Sequence, residues 1–162
     1  MSFHALVFTE FGLNRKITYR ADRSRFDEVK KAKEIKFVIA FQNAKFDIKF
    51  LWKEGIECSE NNIFDTMIAA QLIGAGIEHN FGMKDIASRY LGIAVSKDEQ
   101  KSDWTVRPLS PEQLNYAAED GKVTYDLTNV LKERILAEDL GNVFRLEMRT
   151  VFSTAAMEWF GM

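Results

Sequence analysis

The chain has 162 residues, 46% of them hydrophobic, with 13 Phe, 3 Trp and 4 Tyr against 2 Pro; that is one compact domain with a sizeable core, and a second full domain does not fit. A formal charge of −2 argues against gripping duplex nucleic acid by phosphate neutralisation alone, and otherwise neither supports nor excludes a nuclease, since a cleft that gathers carboxylates can leave such a protein acidic. The single cysteine, Cys58, excludes an intrachain disulfide framework and a thiolate-rich zinc site, and with no membrane-length apolar run or basic leader the expected location is cytoplasmic.

Residues 3 to 11 and 16 to 20 are rich in β-branched and aromatic side chains and enclose Gly12-Leu13-Asn14, which predicts a β-hairpin. Ser24 is placed to cap a helix whose Phe26, Val29, Ala32 and Ile35 form one apolar stripe. Residues 37 to 41 are continuously apolar, as expected of a strand buried on both faces. Strand, strand, helix, strand is the opening of an α/β fold. A helix from Ala44 carries Phe46, Phe50, Leu51 and Trp52 and stops at Gly55. The segment Ile56 to Ile63 leads to a helix opening at Phe64-Asp65-Thr66 and broken by Gly74-Ala75-Gly76. Met83, Ile86, Ala87, Tyr90 and Leu91 predict an amphipathic helix closed by Gly92. Residues 95 to 107 are polar and irregular, the expected mobile loop. Ser110-Pro111-Glu112-Gln113 is a capping box with proline at the first helical position, and the helix it opens runs to about Ala137. Gly141 precedes a last helix ending near Trp159.

Two acidic constellations could carry chemistry. In Phe41-Gln42-Asn43-Ala44-Lys45-Phe46-Asp47 a buried strand ends, polar residues turn, and an aspartate enters the first turn of the next helix. The carboxyl end of a central strand is where α/β proteins place ligands. A carboxylate in a first helical turn also complements the helix dipole, so Asp47 has a purely structural explanation too. In Tyr116-Ala117-Ala118-Glu119-Asp120 the spacing of four stacks Tyr116 and Asp120 on one helix face, with Gln113 a turn earlier and small residues beside them. Taken alone, a structural hydrogen bond or a half-buried core tyrosine is the commoner explanation of such a pair. Gly121 in mid-helix costs roughly 1 kcal/mol relative to alanine, which close packing against another element would explain, as would simple tolerance.

The two constellations in this order, with Phe64-Asp65-Thr66 between them and Ser102-Asp103-Trp104 ahead of Arg107-Pro108-Leu109-Ser110, resemble the proofreading-type 3′→5′ exonucleases that use four acidic residues and a tyrosine. Residues 37 to 137 carry the resemblance. Lys101 to Asp120 is also similar to ribonuclease D, whereas Leu146-Glu147-Met148 and Ala155 to Gly161 look like the passage from exonuclease into polymerase in family A DNA polymerases. The resemblance implies a ribonuclease H-like fold, a mixed sheet with flanking helices. It divides the chain into an exonuclease domain over 1–142 and the start of a connection to a polymerase domain over 143–162.

By the same resemblance, Asp47 and Asp120 are metal-binding carboxylates, Tyr116 orients the attacking water, and Asn43, Phe46 and Gln113 line the substrate side. Asp65 matches a recurrent family position outside the four ligands. The implied cofactor is a pair of Mg²⁺ ions, with Mn²⁺ as a substitute, since hard oxygen donors and substrate phosphate satisfy a small, water-retaining cation. The implied partners are a single-stranded 3′ end of DNA and a polymerase domain of the same or another chain, with no membrane. The family's first strand carries Asp-x-Glu, and no Asp-x-Glu occurs here. The chain is therefore expected to start after that strand and to bind Mg²⁺ weakly on its own. A ribonuclease D-like RNA 3′-processing enzyme and a catalytically inactive nucleic-acid-binding module are the alternatives.

Overall fold

A computed structural model describes residues 7–9, 16–18, 38–53, 55–56, 58–95, 102–103 and 108–162. Among them run the strands β1 (Val7–Thr9), β2 (Lys16–Thr18) and β3 (Val38–Phe41), then helix α1 (Ala44–Lys53) and strand β4 (Ile63–Asp65). Helices α2 (Thr66–Ile73), α3 (Met83–Leu91), α4 (Pro111–Ala137) and α5 (Gly141–Phe160) follow. The expected Ser24 helix lies outside the described residues, as does most of the segment 95 to 107.

The sheet order is β2-β1-β3-β4. β1 pairs antiparallel with β2, as the hairpin pattern predicts, and antiparallel with β3 through Phe8 and Ile39. β3 and β4 run parallel with Phe41 opposite Asp65, so both strands end at the same level and each passes directly towards a helix. Residues Ile63–Asp65 being a strand corrects the expectation that Phe64-Asp65 opens a helix; the helix begins at Thr66. Three residues are too few to display an alternating pattern, and what holds them extended is the ladder to β3, formed by residues far earlier in the chain.

Alternation along the short strands splits the core in two. Ile39, Phe41 and Ile63 join Ala44, Ile48 and Leu51 of α1 and Met148, Val151 and Ala155 of α5 on one face. Val38 and Phe64 join Ala69, Ala70, Ile86, Ala87, Leu127, Leu131 and Ile135 of α2, α3 and α4 on the other. Ile48 and Leu51 are almost fully buried, each worth about 2 kcal/mol relative to exposure. The result is a sheet between two helical layers, the α/β sandwich expected from the sequence.

The helix boundaries follow the chemistry read from the sequence. Ser110 Oγ accepts from Gln113 N at 3.1 Å, and Gln113 Oε1 accepts from Ser110 N at 3.0 Å. Gly92 ends α3 in the left-handed region, at φ 67°. On α4, Gly121 is buried, as are Val123 and Thr124, on a helix that packs against β1 and β3. The buried Thr124 and Thr128 hydroxyls donate to the Asp120 and Thr124 carbonyls of their own helix and so enter the core satisfied.

Candidate active site

The turn between β3 and α1 is built by a network that begins at Asn43. Asn43 has φ 66°, a left-handed conformation that asparagine tolerates better than most residues. On one side of it Gln42 donates through Nε2 to the Phe81 carbonyl at 2.9 Å, and Gln42 Oε1 lies 2.6 Å from the Thr66 hydroxyl. On the other side the Asn43 and Ala44 amides donate to the two oxygens of Asp65, at 3.1 and 2.7 Å. The same carboxylate accepts from Met67 N at 2.9 Å and Ile68 N at 3.4 Å, which caps α2. Burial pushes the Asp65 carboxyl above its ordinary value, and these four backbone N–H donors pull against that shift.

Asp47 stands in the first turn of α1, half-buried. Burial first and the Asp65 charge second push its carboxyl from 3.8 up to about 7, while its own backbone N–H works in the opposite direction. Lys45 and Lys49 flank it in sequence, but both ammonium groups go to Glu158 of α5, on the outer side of the helix. Among the described residues no cation forms an ion pair with Asp47. Phe46, 46% exposed, stands beside it with its ring 4.9 Å from that of Phe50.

On α4 the Tyr116 hydroxyl is hydrogen-bonded to the Asp120 carboxylate, as the spacing of four predicts. Burial, the Asp120 charge and this bond push the phenol up to about 12, so Tyr116 stays protonated at any physiological pH and acts as a donor. Gln113 is 7% exposed, and its amide is fully engaged within the protein. Oε1 closes the capping box, and Nε2 donates to Ser102 Oγ and the Asp103 carbonyl, each at 3.0 Å, tying that segment to the start of α4.

As donors, Asp47 and Asp120 suit a hard divalent cation: both are carboxylates, and Asp47 carries a charge that its surroundings penalise and that a cation would relieve. Among the described residues no three His, Cys, Asp or Glu side chains gather closely enough to hold a metal by themselves, so water and substrate oxygen would complete any coordination shell. β1 consists of Val7, Phe8 and Thr9 and contributes no carboxylate.

A mixed sheet whose two parallel strands run into helices, with an aspartate in the first helical turn and a Tyr–Asp pair on a long helix, defines a ribonuclease H-like 3′-5′ exonuclease fold. Three solved structures share it. A nuclease in its apo form superposes with a TM-score of 0.74 at 24% identity, over 94% of this chain and 68% of that one. NrnC of Brucella melitensis gives 0.72 at 25% identity over the same shares. The catalytic core of RRP6 from Trypanosoma brucei gives 0.61 at 26%, over 70% of this chain and 31% of that one.

The 3′-5′ exonuclease family model of the DNA polymerase A type matches residues 21–136, and the chain belongs to that family. DNA polymerase I of Aquifex aeolicus is 38% identical over 97 residues, 60% of this chain and 16% of that protein. Ribonuclease D of a Shewanella strain is 39% identical over 77 residues, 48% of this chain and 19% of that protein. The chain thus spans less than a fifth of the length of these two relatives.

The sequence alone did not reveal the use made of Asp65. Its cap on α2 is signalled locally by an aspartate before an apolar run. Its bond to Ala44, 21 residues away in the chain, has no local signature.

Proposed function

We propose that the chain is the catalytic part of a divalent-metal-dependent 3′→5′ exonuclease that removes nucleotides from a single-stranded DNA 3′ end in company with a polymerase domain. The observation that carries this reading is Asp47, a half-buried carboxylate with no cationic partner among the described residues, just beyond the carboxyl end of the central strand. In the proposed site Asp47 and Asp120 hold the metal. Bound Mg²⁺, or Mn²⁺ in its place, would acidify the attacking water and neutralise charge at the phosphate. Tyr116, locked in its protonated form, orients that water through its hydroxyl and leaves proton removal to another group.

Phe46 offers an exposed ring on which a terminal base can stack, and Asn43 is exposed in the left-handed turn beside it. Gln113 serves the substrate side indirectly, by holding Ser102 and Asp103 against α4. Residues 143–162 lead towards the polymerase domain through the outer end of α5. The inner face of that helix is anchored on α1 by Met148, Val151 and Ala155.

Similarity to ribonuclease D at the same level of identity favours RNA as the second substrate reading. A 5′-labelled DNA oligonucleotide and its RNA counterpart, incubated with the chain and Mg²⁺, separate the two. Slow stepwise shortening of DNA from the 3′ end, as weak Mg²⁺ binding without Asp-x-Glu implies, abolished by chelation and by Asp120→Asn, is the expected result. Shortening of RNA alone would favour the ribonuclease reading. DNA binding without shortening of either strand would leave an inactive binding module.

A further inference from the structure

The carboxylate that touches the most backbone near this site is Asp65, and nothing in the proposed chemistry uses it. It is 1% exposed, sits at the end of β4 opposite Phe41, and on its short strand points to the same sheet face as Ile63, the face covered by α1. Its Oδ1 takes the Asn43, Met67 and Ile68 amides and its Oδ2 the Ala44 amide. One carboxylate therefore closes the first turns of two helices that leave adjacent parallel strands. If its work were only to cap α2, the amides of Met67 and Ile68 would suffice. The two further bonds reach across to the left-handed Asn43 and to the first residue of α1.

We infer that Asp65 is a positioning residue for the nuclease site: by pinning the Asn43 and Ala44 amides it fixes where α1 begins, and hence where Asp47, one turn into that helix, presents its carboxylate. A helix start that slips or frays by one residue rotates Asp47 by about 100° around the helix axis and takes it off the cleft. The Thr66 hydroxyl, within 3.0 Å of both the Phe41 carbonyl and Gln42 Oε1, supports the same turn from the other side. This inference rests on the reading of Asp47 as a metal ligand and names the residue that orients it.

Two substitutions separate positioning from capping, because Asn and Ser are both good helix N-caps. Asp65→Asn keeps an oxygen for Met67 and Ile68 but turns an NH₂ towards the Ala44 N–H, donor against donor. Asp65→Ser caps α2 but is too short to reach Ala44. The experiment titrates Mn²⁺ into the full chain and counts free ion by electron paramagnetic resonance, with thermal unfolding and amide NMR shifts recorded on each variant. Both variants are expected to fold, to keep the Met67 and Ile68 amides protected, to shift the Asn43 and Ala44 amides, and to bind Mn²⁺ about tenfold more weakly, the usual cost of losing a residue that orients a ligand. Wild-type Mn²⁺ affinity in both variants, with affinity lost in Asp47→Asn, would overturn the positioning role while sparing the metal site. Equal Mn²⁺ affinity in wild type and Asp47→Asn would instead overturn the metal reading of Asp47, and the inference with it.

Discussion

Asp65 is buried and Asp47 half-buried, and their surroundings give the two aspartates different work. Asp65 accepts four backbone N–H groups, whereas Asp47 is left with burial and a neighbouring negative charge, which lift its carboxyl to about 7. A carboxyl that titrates near 7 folded and near 3.8 unfolded holds its proton more tightly in the folded state. Its contribution to stability is complete below about pH 4 and is lost as pH rises through 7. Without metal, Asp47→Asn should therefore be more stable than the wild type at pH 8, by on the order of 2 kcal/mol after allowance for partial solvent screening, and no more stable at pH 4. Urea unfolding at the two pH values measures this, and an equal difference at both would show that the carboxyl is not shifted. On α4, Tyr116→Phe should slow Mg²⁺-dependent trimming about tenfold while weakening Mn²⁺ binding much less, since the hydroxyl itself holds no ion. A matching fall in Mn²⁺ affinity would show that the tyrosine sustains the metal site itself.

At the scale of elements, the long helix α4 carries the Tyr–Asp pair, and its start is set by the reciprocal Ser110–Gln113 bonds. Ser110→Ala should cost about 1 kcal/mol in chemical denaturation, and the Ser102 and Asp103 resonances should move with it because Gln113 also ties that segment. Unchanged resonances would show that the cap and the segment are independent. This helix and α3 were legible from the sequence because their signals are local: a capping box, a terminal glycine, and apolar residues at helical spacing. β4 was not, because its extended form depends on a partner strand. The i, i+4 contact of Tyr116 and Asp120 was readable from spacing alone. The Asp65–Ala44 bond and the Glu158 bridge to Lys45 and Lys49 join residues remote in sequence, which no periodicity can announce.

Taken whole, the described residues form a sheet between two helical layers, and the proposed site draws on both. Asp47 belongs to the layer of α1 and α5, and Asp120 to the layer of α2, α3 and α4. In the proposed site, packing in each layer would therefore bear on how the two carboxylates share a cation. Leu131→Ala, in the core of the second layer, should cost about 3 kcal/mol of global stability. The most direct test of a shared metal site is Mn²⁺ added to ¹⁵N-labelled protein, with paramagnetic broadening followed residue by residue. Signals of residues 45–48 and of residues 116–121 are predicted to broaden together at one common midpoint, and Asp47→Asn or Asp120→Asn alone to weaken both. Broadening confined to one segment, or two segments with separate midpoints, would contradict a single cation held between the strand end and α4.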